Sequence, residues 1–208
     1  REKIESYISE RNLSSNILTK LKELGIVQCV NSHHSEALQI KFRSIDPHNT
    51  VTWTKLRFCP TATINWEERK THNSKWSTFN GTRLYLNFET DKPTLIVEWE
   101  IDFLSLSTEV FEHYNVLAFA WGNQLLATVK ALRETNSNNI VLLNDVDEAG
   151  KKEVDGILNS DVCLDNIYIA TSLLWDEDKD INDKCRRSKE HISLEDIESN
   201  KKVLERIE

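Results

Sequence analysis

The stretch Thr94-Leu-Ile-Val-Glu-Trp-Glu-Ile-Asp-Phe-Leu-Ser-Leu106 decides how this chain is read. Leu95 to Val97 form a short apolar run of the kind that fills a strand buried on both faces, and Glu98 stands at its end. Asp102 follows four residues later, where a helix is expected to begin. Open α/β sheets place their ligands where a strand end feeds a helix. Some forty residues on, the pattern recurs: Ile140-Val-Leu-Leu143 runs into Asn144-Asp-Val-Asp-Glu-Ala-Gly150. Two acidic strand ends on one sheet suggest a site for a divalent metal.

Working outward, residues 93–185 alternate in period. Strands are expected at 94–98, 115–119, 140–144 and 166–170, and helices at 102–113, 123–134 and 148–159. That order predicts a mostly parallel sheet flanked by helices. Pro93 precedes the first strand, where its missing N–H does least harm. Early in the last of these helices, Gly150 permits a close backbone approach. Trp175-Asp-Glu-Asp-Lys-Asp-Ile-Asn-Asp183 reads as a second acidic cluster, on a loop.

Upstream, residues 2–24 carry apolar positions at helical spacing. Asn12-Leu-Ser-Ser15 is expected to split them into two helices, with Ser14 or Ser15 as N-cap and Gly25 as C-cap. Glu36 to Arg43 and Val51 to Phe58 alternate in polarity around the turn signal Asp46-Pro-His-Asn49, which predicts a hairpin. Its apolar face is read as Leu38, Ile40 and Phe42, and its other face as Lys41, Arg43, Lys55 and Arg57. Residues 61–83 read as a basic loop. Downstream, one amphipathic helix is expected over 193–207, with Ser193 as its N-cap. The domain boundaries that follow are 1–35 for a helical segment, 36–92 for a small basic α+β subdomain, 93–185 for the α/β unit and 186–208 for a C-terminal helix or linker.

Composition sets bounds on function. The 208 residues suffice for one large domain or two small ones. A net charge of −8 argues against a protein that simply coats nucleic acid. It leaves room for a carboxylate cluster neutralised by cations. No apolar run is long enough to span a membrane, and no secretory leader is apparent, so a cytoplasmic location is expected. The four cysteines form no C-x-x-C pair and are expected to be free thiols rather than zinc ligands. The chain starts with Arg1 and lacks methionine, so it is read as part of a longer protein.

Glu98, Asp102, Asp145, Asp147, Asp180 and Asp183 all fall at strand ends or in the loops after them. Mg2+ takes hard oxygen ligands and keeps several waters. A pair of such ions can activate an attacking hydroxyl and stabilise a leaving phosphate oxygen. The bland alternative is that these acids cap helix N-termini, and for Glu100 and Glu148 it is preferred.

In this order, Ile-Val-Glu-Trp-Glu-Ile-Asp-Phe-Leu-Ser-Leu, Asn115 to Gly122, Val141 to Gly150 and Lys179-Asp-Ile-Asn-Asp183 resemble the motifs of a Toprim domain, as in the primase part of phage and mitochondrial primase–helicases and in bacterial replicative primases. The resemblance implies a DNA primase that makes short RNA primers from ribonucleoside triphosphates on a single-stranded DNA template, with Mg2+ or Mn2+, beside a fused or separate replicative helicase. It implies metal-ligating or catalytic roles for Glu98, Asp145 and Asp147, with Asp102 and Asp180 completing the metal site. Val51 to Arg57 and Ser74 to Tyr85 resemble the signatures of the family's small basic subdomain, which makes Lys55, Arg57 and Lys75 phosphate contacts. The other readings are a Toprim nuclease and an inactive Toprim module that binds DNA or partner proteins. A topoisomerase would need a nucleophilic tyrosine in a separate domain.

Trp99 departs from the pattern, because the family carries glycine directly after the motif glutamate. Trp53 and Trp76 also fall where related sequences tend to have glycine, and glycine is scarce at 5 of 208. A host that reads UGA as glycine would explain this, and the codons at the six tryptophans decide it.

Overall fold

The computed structural model describes residues 2–32, 35–44, 53–58, 71–73, 82–119, 124–135, 139–174 and 178–206. The turn signal at 46–49, most of the basic loop at 61–83 with Lys75, four of the tryptophans (Trp66, Trp76, Trp121 and Trp175) and Ile207 lie outside them.

Two short helices begin the chain, α1 (Glu2–Glu10) and α2 (Ser15–Glu23). They are separated where the sequence predicts. Ser14 caps α2 by accepting from the Ile17 amide, and Gly25 ends it at φ 66°, a left-handed turn that suits glycine. Strands β1 (Val27–Ser32), β2 (Ser35–Ser44), β3 (Trp53–Phe58) and β4 (Thr71–Asn73) pair in antiparallel fashion. β5 (Thr82–Leu84) then joins β2 to the second half of the sheet.

That half contains β6 (Thr94–Val97), β7 (Asn115–Phe119), β8 (Ile140–Leu143) and β9 (Ile167–Ile169), all parallel. Helices α3 (Glu100–Phe103) and α4 (Thr108–His113) follow β6, α5 (Leu125–Glu134) follows β7, and α6 (Glu148–Leu158) follows β8. After β9 come α7 (Ile181–Ser188), α8 (Leu194–Asn200) and the two-residue edge strand β10 (Lys202–Val203). The sheet is continuous in the order β10-β9-β8-β6-β7-β5-β2-β3-β4, with β1 on β2.

The central strands are apolar throughout because both faces are covered. Leu95, Val97, Val116, Ala118, Val141 and Leu143 face a core shared with α1 to α4, α7 and α8. Ile96, Leu117, Phe119, Ile140 and Leu142 face a second core closed by α5 and α6. β6 is the axis of this arrangement, pairing with β7 on one side and β8 on the other.

Several expectations are corrected. The helix at 102–113 is two helices, because the segment between them bridges Leu106 to Ile192 and its backbone exchanges hydrogen bonds there. The helix at 193–207 stops at Asn200. The chain then pairs with the open edge of β9, which buries Leu204. The second acidic cluster is only partly a loop, since Asp180 caps α7. The hairpin is present, but its faces are not as read. Phe42 stands opposite Trp53, Ile40 opposite Lys55 and Leu38 opposite Arg57. Directly opposed residues share a face, so Lys55 and Arg57 lie on the apolar side, not with Lys41 and Arg43.

Candidate metal centre

Val97 and Leu143 are register partners on parallel strands. The residues that follow, Glu98 and Asn144-Asp145, therefore leave the sheet side by side. The turn after β8 is tight. Asn144 Nδ2 donates to Gly150 O at 2.9 Å, and a Cβ on Gly150 would sit 2.0 Å from the Asp145 carbonyl oxygen. Glycine is needed there for space. Asp147 is the N-cap of α6, and its Oδ1 accepts from the Ala149 and Gly150 amides, both at 3.0 Å. One carboxylate oxygen is thus locked, and the other meets Lys179 Nζ at 3.1 Å. The same ammonium lies 3.9 Å from Asp145 Oδ2. The Val146 amide donates to Lys179 O at 3.2 Å, which pins the segment before α7 against this turn.

Asp102 is fully buried in the first turn of α3. It accepts from the Trp99 amide at 3.2 Å and the Asn182 amide at 3.3 Å. Asn182 is fixed in turn by Arg11 Nη1 at 3.1 Å, and it donates to Arg11 O at 2.7 Å and Ser105 Oγ at 2.9 Å. Asp180 accepts from the Asp183 amide at 2.7 Å. Asp147 and Asp180 are therefore helix caps as the bland reading holds, yet each also stands in the acidic group.

The charges of this group disturb one another. Burial pushes Asp145 up to about 8, and Glu98 and Asp180 add to the shift while Lys179 opposes it. Burial also raises Glu98, with the Asp145 amide pulling it back and Asp147 raising it further. Asp102 is raised well above its ordinary value by burial and then by Asp180 and Asp145. Asp180 is raised, chiefly by burial. Asp147 is lowered by the Gly150 amide and Lys179. The five predicted carboxylates thus stand in one another's field, and burial with mutual repulsion raises four of them.

A divalent cation suits this donor set. Every candidate ligand is a carboxylate oxygen, as hard cations require. Glu98 Oε2 is buried with no hydrogen-bond partner, and a lysine already spans the Asp145–Asp147 pair. Among the described residues, no three acidic, histidine or cysteine side chains already converge as a metal-binding cluster.

The basic candidates are placed differently. Lys55 is 1% exposed, and its Nζ donates to Glu100 Oε2 at 2.8 Å. Arg57 Nε donates to Glu100 Oε1 at 2.7 Å. The reading that set these two residues on the face away from Leu38, Ile40 and Phe42 is corrected, and their partner is a buried carboxylate on α3. Sequence reasoning set Glu100 aside as a helix cap. Its alternation with Glu98 and Asp102 was the available signal. Nothing in the sequence points to Arg11, which reaches Asn182 from the turn after α1.

The backbone at Trp99 is extended, with φ −119° and ψ 160°, so the turn after Glu98 has no need of glycine. Trp53 is 1% exposed and packs on Phe42 with ring centroids 5.2 Å apart. Neither position requires the residue that recoding would supply.

Residues 95–185 match the family model described as Toprim-like. No curated protein sequence matches the chain. Among solved structures, the primase fragment of the bacteriophage T7 primase-helicase protein is similar with a TM-score of 0.60 and 17% identity, over 88% of this chain and 69% of that one. A chain of the complex of bacteriophage T7 lagging-strand DNA polymerase with primase domains of two gp4 subunits, bound to an RNA/DNA hybrid and dTTP, also gives 0.60 at 17% identity, over 82% and 80%. The DnaG catalytic core gives 0.55 at 15% identity, over 90% and 69%. Strand order, acidic strand ends and these matches agree on the fold: residues 95–185 match the Toprim-like family model, and the chain folds like these solved primase structures.

Proposed function

We propose that this chain is the catalytic part of a DNA primase that makes short RNA primers on single-stranded DNA from ribonucleoside triphosphates. The supporting observation is the meeting of Glu98 and Asp145-Val-Asp147 at the ends of register-matched parallel strands, with Glu98 Oε2 buried and unpartnered. Glu98, Asp145 and Asp147 are the proposed principal ligands of Mg2+ or Mn2+, and Asp102 and Asp180 complete the acidic surround. Bound there, such a cation would neutralise the carboxylates and supply charge for a transferring phosphoryl group.

The chain's own residues prepare the site. Asp147 keeps one oxygen on the α6 amides and presents the other. Asp102 holds the Trp99 amide, which fixes the backbone beside Glu98. Burial raises the Glu98 carboxyl, and its bare Oε2 suits either a cation ligand or a general base for the attacking 3′-hydroxyl. Lys179 holds the Asp145–Asp147 pair together until a cation or phosphate replaces it. Lys75 remains the proposed phosphate contact, while Lys55 and Arg57, both held by Glu100, act from inside the protein. A replicative helicase, fused or separate, is the proposed partner. Among the described residues, no helix is long and apolar enough to cross a membrane, and a cytoplasmic site of action follows from the proposed role.

The test is primer synthesis on single-stranded DNA with labelled ribonucleotides and Mg2+. Short RNA products that disappear with EDTA and with Asp145→Ala plus Asp147→Ala are expected. Products that survive the double substitution contradict the assignment. Cleavage of the DNA without synthesis supports a Toprim nuclease, and binding without either reaction supports an inactive module.

A further inference from the structure

Three buried charges take no part in the chemistry proposed above. The side chains of Lys55 and Glu100 are 2% and 0% exposed, and that of Arg57 is 15% exposed. Both Glu100 oxygens are used, Oε2 by Lys55 and Oε1 by Arg57. Burial works against the Glu100 carboxylate, but Arg57 and Lys55 pull it down to about 2. Burial works against the Arg57 cation, but Glu100, Tyr7 and Asp102 together raise it. Lys55 is lowered, because burial costs it more than Glu100 returns. Arg57 gives both Nε and Nη2 to Glu100 Oε1, and Lys55 is the second cation.

The position of this cluster gives it meaning. Glu100 stands between Glu98 and Asp102, on the first turn of α3, and Lys55 and Arg57 stand on β3, more than forty residues earlier. Lys55 Nζ also lies 4.7 Å from the centroid of the Trp99 ring, so it touches the residue directly after Glu98. Asp102 adds to the field on Arg57. Buried ion clusters are weak sources of stability, because desolvation costs several kcal/mol per ion and apolar residues can fill the same space. What such a cluster supplies is a fixed position, and the segment fixed here is Glu98 to Asp102.

We propose that Glu100, Lys55 and Arg57 are positioning residues that lock the Glu98–Asp102 turn to β3, so that the docking of the small subdomain sets the affinity of the carboxylate site for a divalent cation. This rests on the metal reading of Glu98, Asp145 and Asp147. It also explains why two residues that resemble phosphate contacts are turned inward.

The test is Mn2+ binding to the full chain, read from the free-ion electron paramagnetic resonance signal, beside thermal melting in EDTA. The triple substitution Lys55→Met, Arg57→Met and Glu100→Met replaces the cluster with apolar side chains. If it melts cooperatively, it is expected to bind Mn2+ about tenfold more weakly, the usual scale for groups that orient metal ligands. Lys55→Arg is expected to stay within about twofold of the parent. If the triple variant does not melt cooperatively, Lys55→Gln, which leaves the Arg57–Glu100 pair in place, carries the same expectation of weakened binding. A folded triple variant, or a folded Lys55→Gln, that binds Mn2+ as the parent does overturns the proposal alone. A parent chain that takes up no Mn2+, or keeps it after Asp145→Ala plus Asp147→Ala, overturns the metal reading and the proposal together.

Discussion

Replacing Asp145 by Asn should stabilise the metal-free protein and abolish its response to metal. Asp145 is 5% exposed, and burial, Glu98 and Asp180 move its carboxyl from the ordinary 3.8 to about 8. Between these values the native state holds a proton that the unfolded chain has lost. Stability from this group is therefore full below about pH 4 and drains away as pH rises, levelling off above about pH 8. A tenfold change in proton affinity is worth about 1.4 kcal/mol, so the ceiling is on the order of 5 kcal/mol. Relaxation and water entry reduce this, and about 2 kcal/mol between pH 5 and pH 8 is a working figure. For a chain of this size that corresponds to roughly 4–8 °C in melting temperature. In EDTA, the parent should lose that much more than Asp145→Asn over this range, because Asn carries no charge to bury. Part of the difference is relief at Asp102, which feels Asp145. With excess Mg2+ at pH 8 the order should reverse: the parent gains melting temperature and the variant does not. Parallel pH profiles in EDTA, or an equal Mg2+ shift in both proteins, would refute the placement of a buried, cation-seeking carboxylate at residue 145.

Gly150→Ala should cost about 1–3 kcal/mol or more, since the new Cβ would meet the Asp145 carbonyl oxygen at 2.0 Å. A urea unfolding midpoint unchanged from the parent contradicts the tight turn. Trp99→Gly should lower stability by about 1–2 kcal/mol, through lost contact with Lys55 and added backbone freedom. A higher melting temperature would show that glycine belongs there. Mn2+ affinity should rise with pH up to about pH 8, because Asp145 must give up its proton to bind, and titration calorimetry at pH 6 and pH 8 checks it.

The half of the fold built on buried parallel strands was legible because its signals are local. Apolar runs of four or five residues end in acids and alternate with helical spacing, and β7 matches its expected range at both ends. The capping serines Ser14 and Ser193 were legible for the same reason. What failed depends on partners distant in sequence. Nothing near Leu106 announces its bridge to Ile192, and nothing near Lys202 announces an open strand edge at Ile169. The hairpin faces were misread because Lys55 and Arg57 look solvated until Glu100 is known to lie beneath them. At the site, the positions of the five carboxylates could be read from the motifs. The burial of Glu98, Asp102 and Asp145, the lysine between Asp145 and Asp147 and the Arg11–Asn182 support could not, because these arise only when distant elements converge.

The most direct measurement is a crystal of this chain soaked in Mn2+ and examined at the metal's absorption edge. The metal assignment predicts an anomalous peak about 2.0–2.2 Å from carboxylate oxygens of Glu98, Asp145 or Asp147, with Lys179 withdrawn from its place beside the aspartates. Manganese bound elsewhere, or a Lys179 that keeps its seat at saturating Mn2+, would contradict it.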